Sequence, residues 1–373
     1  MTKNEFLKLT QAGYGTIPVS CTQMADLVTP VGAALTLNLA GRPCAFLLES
    51  VQTSQSARYS FLGLTMDTSY QIRGGSLIRE RGGKRETLSG DPLVLLREEA
   101  QRRKAPPVEI PLCSGLVGYL GYDLASSKLD PELPAGYLMS PRELLIFDHA
   151  QRTVTAVVNV FCNQLPPKEL EAAYETAKAR AEALLGQLQR PQRTTLVRQL
   201  ALPYTSSTKK EDFIAGVEQI QKAIAAGTIQ QVVLSRRLLL QGEADPLATY
   251  RLLRSINPSP YLFWLHFPQL DLVGSSPEAL VKLEGSKASI WPIAGTRPRG
   301  KDAQEDLLLA SELLEDPKER SEHMMLVELG KQDLAQVAKT GTVKVDALMR
   351  LERYSHVMHL VSALSCELDR SHD

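Results

Sequence analysis

The chain has 373 residues, with 42 lysines and arginines against 42 aspartates and glutamates, so its formal net charge is zero. This balance argues against a non-specific nucleic-acid binder and against a polybasic membrane binder. With 43% hydrophobic and 23% charged residues, the composition is that of an ordinary globular protein, and the length suggests about two domains.

The N-terminus is polar, no apolar signal region follows it, and no run of about 18 apolar residues exists. We therefore expect a cytoplasmic protein with no membrane span. The five cysteines are scattered and form no C-x-x-C pair, which predicts reduced thiols that are mostly buried.

Strand-like segments dominate the first half of the chain. Short apolar runs predict strands over 44–48, 58–63, 144–148 and 154–161, the last two as a hairpin. The Ala- and Glu-rich stretch 168–189 predicts a helix, and the polar residues after it show no periodicity. We place a domain boundary near 190–208, which gives one domain over 14–190 and another over 208–373.

Helices and strands alternate irregularly in the second half. Thr208 and Glu211 have the spacing of a capping box, which predicts a helix that ends at Gly227. The Asp-Pro pairs at 245 and 316 predict two more helices, the second running to about residue 330. Further strands are predicted over 231–235, 261–267 and 272–274. This pattern predicts an α+β fold of antiparallel β-sheets flanked by helices.

Residues 292–300 combine two prolines, two glycines, one threonine and two arginines. Glycine lets the backbone approach a ligand closely, proline stiffens the segment, and arginine can pair with a carboxylate through a planar fork. The composition is that of a loop that holds a small anion. A surface turn with two solvated arginines has the same composition.

Five polar side chains are candidates for chemistry. Glu319 and Glu322 share a face of the predicted helix, where they would either bind Mg²⁺ or merely complement the helix dipole. In a helix, His356 and His359 would share a face and could bind a metal ion as a pair. The alternative is that they are core residues with satisfied hydrogen bonds. Glu278 follows a rigid turn. It would be either a general acid, if burial raised its pKa, or a solvated carboxylate.

Taken in order, these segments resemble the chorismate-utilising enzymes, and within them the large subunit of anthranilate synthase (component I). The resemblance covers about 14–373. The matching strings are Tyr-Gly-Thr-Ile-Pro-Val at 14–19, Leu-Leu-Glu-Ser-Val at 47–51, Arg-Tyr-Ser-Phe-Leu-Gly at 58–63, Val-Gly-Tyr-Leu-Gly-Tyr-Asp at 117–123, Gln-Val-Val-Leu-Ser at 231–235, Asn-Pro-Ser-Pro-Tyr at 257–261, Gly-Ser-Ser-Pro-Glu at 274–278, the segment 292–300, Glu-Arg-Ser-Glu-His at 319–323 and Tyr-Ser-His-Val-Met-His at 354–359.

The resemblance implies a reaction. A partner amidotransferase subunit delivers ammonia from glutamine, and the ammonia adds to C2 of chorismate as the C4 hydroxyl leaves. Elimination of pyruvate then gives anthranilate, the first step of tryptophan biosynthesis, with feedback inhibition by L-tryptophan. The resemblance also implies that 14–190 carries the tryptophan pocket and subunit contacts, and that 208–373 is the chorismate-binding catalytic domain.

The same resemblance assigns roles to two groups of residues. In the active site, Glu322 matches a Mg²⁺ ligand, with Glu319 nearby through water. Ala294, Gly295 and Thr296 match residues that contact chorismate. His359 and Glu278 match residues with acid/base roles. The tryptophan pocket would be lined by Glu49, Ser50, Pro260, Tyr261 and Leu262, where leucine replaces the methionine that is common in the family.

Aminodeoxychorismate synthase component I, of the folate pathway, is the alternative enzyme. It adds ammonia at C4, and many of its members carry lysine where this chain has Ala294. A lysine amine can attack the ring as a covalent nucleophile, whereas alanine cannot, so the residue favours anthranilate synthase. A third alternative is a non-catalytic protein that binds tryptophan or a partner subunit.

The chain departs from the family in two places. Glu328, Lys331 and Gln332 replace the Asp, Arg and Asn that usually follow the metal glutamate, and lysine lacks the bidentate fork of arginine. Family members also continue well beyond residue 373, with a second metal carboxylate and donors for the chorismate carboxylates. From this we expect an incomplete, C-terminally truncated chain with unpaired sheet edges, exposed core surface and a site that lacks one wall.

Overall fold

The computed structural model describes residues 1–50, 58–108, 110–125, 133–189, 202–354 and 356–372. Val51, Ser355 and most of the predicted domain boundary lie outside these ranges. The fold is α+β, with antiparallel β-sheets flanked by helices, as the sequence predicted.

The first half of the chain contains eight strands and four α-helices among its described residues. In chain order these are α1 (Lys3–Gln11), β1 (Thr16–Met24), α2 (Pro30–Thr36), β2 (Ala45–Glu49), β3 (Tyr59–Arg73), β4 (Ser76–Arg81), β5 (Lys84–Leu88), α3 (Pro92–Arg102), β6 (Val117–Leu120), β7 (Gly136–Asp148), β8 (Thr153–Phe161) and α4 (Leu170–Leu188). The predicted hairpin and the predicted helix over 168–189 are therefore confirmed as β7–β8 and α4.

The second half mixes helices and strands. It contains β9 (Tyr204–Ser206), α5 (Lys210–Ala225), β10 (Leu238–Leu240), α6 (Pro246–Ile256), β11 (Tyr261–Phe267), β12 (Leu270–Ser276), β13 (Lys282–Glu284), β14 (Lys287–Ile290), β15 (Ile293–Pro298), α7 (Ala303–Glu315), α8 (Pro317–Val337), β16 (Lys344–Arg353) and β17 (Val357–Glu367). The two Asp-Pro helix starts are confirmed, since Asp245 and Asp316 cap α6 and α8.

The large sheet has the strand order β1-β8-β7-β3-β2-β11-β12, with β4 beside β3, β5 beside β4 and β6 beside β7. It packs against α4 through a core that includes Ile17, Leu47, Tyr174 and Trp264. Because β11 and β12 come from the second half of the chain, this sheet joins both predicted domains. The division near 190–208 stays a prediction.

The smaller sheet has the order β13-β14-β17-β15, with β16 on the other edge of β17. Helices α7 and α8 pack against it through the buried side chains of Leu313, Val327 and Leu360. This sheet and these helices carry most of the predicted active-site residues.

Close strand pairing explains the spaced glycines before residue 122. Gly118 lies in β6 opposite β7, and a Cβ atom at this position would overlap the backbone oxygen of Tyr137. Only glycine allows the two backbones to approach this closely. The residue therefore serves packing.

Three local predictions are wrong. Residues 231–235 form no strand; Val233 is 87% exposed, so the apolar run has no sheet neighbour to pair with. Helix α5 begins after Lys209, which makes no side-chain cap bond, so Thr208 is not the capping residue. Helix α8 continues to Val337, seven residues beyond the predicted end, because Gly330 is buried against Ile290 rather than terminating the helix.

Part of the second half exposes apolar side chains. Helix α5 has no buried residue, and Leu307 and Leu308 of α7 are both largely exposed. Within the described ranges, no helix is both long and apolar enough to cross a membrane. All five cysteines carry free thiols, and Cys113 and Cys366 are buried.

Candidate active site

The candidate site forms where β15 pairs with β17. Thr296 lies opposite His359, and the pairing is irregular between Ala294 and Thr296. Gly295 occupies this irregular position with φ +75°, a left-handed conformation that glycine adopts without strain. Residues 293–298 are therefore a bulged strand and not the loop that composition suggested.

The hydrogen bonds of His359 define which ring nitrogen is available. Nδ1 lies 3.0 Å from Oγ1 of Thr296 and 3.2 Å from the carbonyl oxygen of Gly295. A carbonyl only accepts, so Nδ1 must carry a hydrogen to make that bond. In the neutral imidazole the lone pair is then on Nε2, for which the described residues provide no hydrogen-bond partner. Nε2 is the atom that can exchange a proton with a ligand.

Helix α8 brings the carboxylate of Glu319 to the same place and carries a second carboxylate, Glu322, three residues later. Its first turn is fixed by Pro317 at N1 and by Asp316, whose side chain accepts hydrogen bonds from the N–H groups of Lys318 and Glu319. Glu319 Oε2 lies 3.4 Å from the position that a Cβ at Gly295 would take. Glu322, one turn further, accepts a 3.3 Å bond from Gln231 Nε2.

The two arginines after Thr296 do not form an anion cradle, so that interpretation is wrong. Arg297 pairs with Asp316 at 2.6 Å and lies 3.5 Å from Glu319 Oε1. Arg299 makes two bonds to Asp306, at 2.6 and 3.1 Å. The protein's own carboxylates neutralise both charges, and the pairs fix β15 to α7 and α8.

Asp306 is the anchor of one of these pairs. Hydrogen bonds from Arg299 and from the backbone N–H of Gly300 lower the pKa of Asp306 to about 2, with a smaller contribution from Arg353. The carboxylate therefore remains ionised at all but strongly acidic pH. Its ion pairs with Arg299 and Arg353 then continue to join α7 to the ends of β15 and β16.

Glu278 lies in the turn after β12. Ser276 Oγ donates a 2.9 Å bond to the carbonyl of Glu278, which holds this turn in shape. Partial desolvation raises the pKa of the Glu278 carboxyl, and a hydrogen bond from the backbone of Ile293 opposes that shift. The contact with Ile293 places the carboxyl beside the start of β15.

The two histidines predicted as a possible metal pair do not share a helix. His359 lies in β17 and the exposed His356 directly precedes that strand. In the described part of the chain, no group of three or more His, Cys, Asp and Glu residues could hold a metal ion. Of the metal ligands that the sequence suggested, Glu319 and Glu322 of α8 are therefore the ones that remain as candidates.

Sequence reasoning missed His323, which is completely buried behind the site. Its Nε2 lies 2.6 Å from Oγ of Ser362, and this hydroxyl also accepts from the N–H of Met349. Burial lowers the pKa of His323, so the ring is neutral and joins α8 to β17 and β16. In the sequence, the one indication of this role was that His323 is a polar residue at a helical position where an apolar residue is expected.

Two of the three departures in α8 compensate one another. Lys331 Nζ lies 2.6 Å from Glu328 Oε1, in the i,i+3 geometry of a helical ion pair. The substituted residues therefore satisfy each other on the exposed side of α8.

The five predicted inhibitor residues also lie together. Glu49 is the last residue of β2 and Ser50 follows it, and Leu262 pairs directly with Glu49 near the start of β11, next to Pro260 and Tyr261. Ser50 Oγ is buried and has no hydrogen-bond partner among the described residues. A buried hydroxyl without a partner is costly and is a natural contact for a polar ligand.

Two residues of α6 complete this second site and were not predicted. Tyr250 donates a 2.7 Å bond to Oε2 of the buried Glu49, and Arg254 Nε lies 3.1 Å from the same oxygen. Burial, followed by the charge of Glu49, raises the pKa of Tyr250, so the phenol stays a donor. Their spacing of four in a helix was the only sequence signal.

Comparison with known proteins agrees with this geometry. Residues 44–373 match the family described as chorismate binding enzyme. Anthranilate synthase component 1 of Acinetobacter calcoaceticus is 38% identical over 98% of this chain and 76% of its own length. The same component of Synechocystis sp. is 41% identical over 98% of this chain and 77% of its own length.

Solved structures give the same result. Anthranilate synthase component I from Streptococcus pneumoniae has a TM-score of 0.71 at 25% identity, covering 94% of this chain and 77% of that one. The isochorismate synthase MenF from Escherichia coli has a TM-score of 0.67 at 17% identity, covering 99% and 77%, which shows a shared fold.

The chain belongs to the chorismate-binding enzymes, and it is an enzyme that acts on chorismate. Within that family it groups with component I of anthranilate synthase. Both statements confirm the resemblance that the sequence showed.

Proposed function

We propose that this chain is a lyase subunit that converts chorismate and ammonia to anthranilate and pyruvate. The pairing of Thr296 with His359, beside Glu319, carries the proposal. In this pairing, the imidazole of His359 has an available Nε2 and lies near a carboxylate of the type that binds a hard cation. Acid/base and cation chemistry are what the loss of a poor leaving group requires.

His359 and Glu278 would move the protons. Nε2 of His359, when protonated, can give its proton to the departing C4 hydroxyl, while Thr296 and the carbonyl of Gly295 hold Nδ1. The raised pKa of Glu278 brings its protonated form closer to neutral pH than for an ordinary glutamate. This supports a second acid/base role in the elimination of pyruvate.

Glu322 and Glu319 would hold Mg²⁺. Both are only partly buried, and both present carboxylate oxygens, so the donor set suits a hard cation. Among the described residues, Glu322 accepts a hydrogen bond only from the neutral amide of Gln231, whereas Glu319 also lies 3.5 Å from Arg297. When bound, the cation would neutralise the ring carboxylate and favour departure of the hydroxyl. Two protein ligands leave positions open for water and substrate oxygens.

Ammonia would arrive as the free nucleophile. Ala294 is buried beside Gly295 and has no amine to attack the ring, so we propose a partner glutamine amidotransferase subunit as the source. Glu49, Ser50, Pro260, Tyr261 and Leu262 would bind L-tryptophan as an inhibitor. The unpaired hydroxyl of Ser50 supports this assignment. A cytoplasmic location stays a prediction.

The test is to incubate the protein with chorismate, ammonium and MgCl₂ and to follow anthranilate by fluorescence and pyruvate by a coupled assay. His359→Gln should abolish both products, while His356→Gln, at an exposed neighbouring position, should retain them. Aminodeoxychorismate synthase would instead give a product that becomes aromatic only after a lyase is added. Binding of tryptophan without any turnover would support the non-catalytic alternative.

A further inference from the structure

Tyr354, directly after β16, contacts the candidate acid/base residue. Its ring meets the imidazole of His359 edge to face, with ring centroids 5.5 Å apart and an interplanar angle of 63°. This is a favoured geometry for two aromatic rings. The phenol hydroxyl donates a 2.8 Å hydrogen bond to Oε2 of Glu352, the residue paired with His359 across β16 and β17.

The backbone of Tyr354 is fixed on both sides. Its N–H donates to the carbonyl of Val357 at 2.8 Å, and its own carbonyl accepts a 2.7 Å bond from Arg299 Nη1. Arg299 is in turn held by two bonds to Asp306. The Tyr354 ring is therefore attached to a backbone that hydrogen bonds fix, and its hydroxyl is held by the hydrogen bond to Glu352.

Carboxylates surround the phenol. Burial raises the pKa of Tyr354, and the hydrogen bond to Glu352 and the nearby charges of Glu352 and Glu278 raise it further. The side chain is therefore neutral at neutral pH, and its hydroxyl acts as a donor to Glu352. Tyr354 contacts His359 and is near enough to Glu278 for the charge of that carboxylate to raise its pKa; these are the two residues with candidate proton-transfer roles.

A half-turn of an imidazole about its Cβ–Cγ bond puts Cδ2 where Nδ1 was and Cε1 where Nε2 was, so Nδ1 loses its acceptor and Nε2 leaves its place. Thr296 and Gly295 hold His359 only at Nδ1, through bonds of 3.0 and 3.2 Å. Rotation about the Cβ–Cγ bond has to break these two bonds, which form the first restraint on the ring. The contact with Tyr354 supplies the second restraint.

We propose that Tyr354 is a positioning residue that keeps the His359 ring in the orientation with Nδ1 on β15 and Nε2 free for the substrate. The inference rests on the proposed function for its kinetic consequence, but the orientation of the ring is measurable without turnover. The hydroxyl holds the Tyr354 ring, and the ring restrains the imidazole.

The first test is NMR of protein labelled with ¹⁵N-histidine, at a pH where the imidazoles are neutral. His359→Gln identifies the resonance. We expect wild-type His359 to show a pyrrole-type Nδ1 and a pyridine-type Nε2. Tyr354→Phe should keep this pattern because the ring remains. Tyr354→Leu should give averaged shifts, because a ring that leaves the carbonyl of Gly295 exchanges its proton between the two nitrogens and samples both tautomers. Unchanged His266 and His149 signals show that the large sheet is folded.

The second test is steady-state kinetics with chorismate, ammonium and MgCl₂. Loss of an aromatic contact of this kind predicts kcat about tenfold lower in Tyr354→Leu, with KM within about twofold of wild type. Tyr354→Phe should recover most of the rate. Tyr204→Leu, at a 66% exposed position, is the matched control and should be unaffected.

Two results would overturn the inference: wild-type His359 shifts in Tyr354→Leu, or equal losses of rate in Tyr354→Phe and Tyr354→Leu. Failure of the proposed function looks different, because wild-type protein would then give no anthranilate while the NMR comparison could still succeed.

Discussion

Replacing Gly295 with alanine should distort the candidate active site at the bulge of β15. The residue has φ +75°, and a left-handed conformation costs a residue with a Cβ about 1–2 kcal/mol. The added carbon would also lie 3.3 Å from both Leu313 Cδ1 and Leu360 Cδ1, and 3.4 Å from Glu319 Oε2. These are tight contacts, so one neighbour must move.

The structure indicates which neighbour moves. Leu313 and Leu360 are completely buried and cannot shift without opening the core, whereas Glu319 is only half-buried. The carboxylate should therefore be displaced from the site by a few tenths of an ångström. Displacement of a group that supports a metal site typically weakens metal binding by about 10- to 100-fold.

Gly341→Ala is the matched control. Gly341 has φ +79° and no atom within 4 Å of its added Cβ, so it carries the same backbone strain without the contacts. Both variants should lose similar thermal stability. Only Gly295→Ala should weaken Mg²⁺ binding, measured by calorimetry, and slow anthranilate formation. Equal Mg²⁺ affinity in the two variants would refute the reasoning.

Three further predictions follow from the same structure. Glu322→Gln removes a ligand charge and should weaken Mg²⁺ binding by at least about tenfold, with Glu312→Gln on exposed α7 unaffected; unaltered calorimetric affinity would count against the ligand assignment. Ser50→Phe should fill the predicted pocket and relieve inhibition by tryptophan at unchanged turnover, and persistent inhibition would remove Ser50 from the pocket. Asp306 has its pKa lowered from 3.8 to about 2, so the stability it adds is present above pH 3.8 and is lost as the pH falls through about 2. Melting temperatures of wild type and Asp306→Asn should therefore differ at neutral pH and converge near pH 2; a gap that persisted there would contradict the role of its charge.

Local sequence patterns predicted elements that depend on local interactions. Asp316 and Pro317 mark the start of α8 because both act within its first turn. The strand over 231–235 failed because an apolar run becomes a strand only if another strand pairs with it. The arginines at 297 and 299 resembled an anion site because their partners, including Asp306, come from other elements.

By itself, the sequence predicted the α+β class and the family, and both predictions are confirmed. It also predicted the members of two sites, because recurring motifs can be recognised without coordinates. The tertiary structure alone decided that Thr296 faces His359, that Nε2 of His359 is the available nitrogen, and that Tyr354 packs on its ring. These facts depend on strand register and on hydrogen bonds between segments that are distant in the chain. No local pattern encodes them.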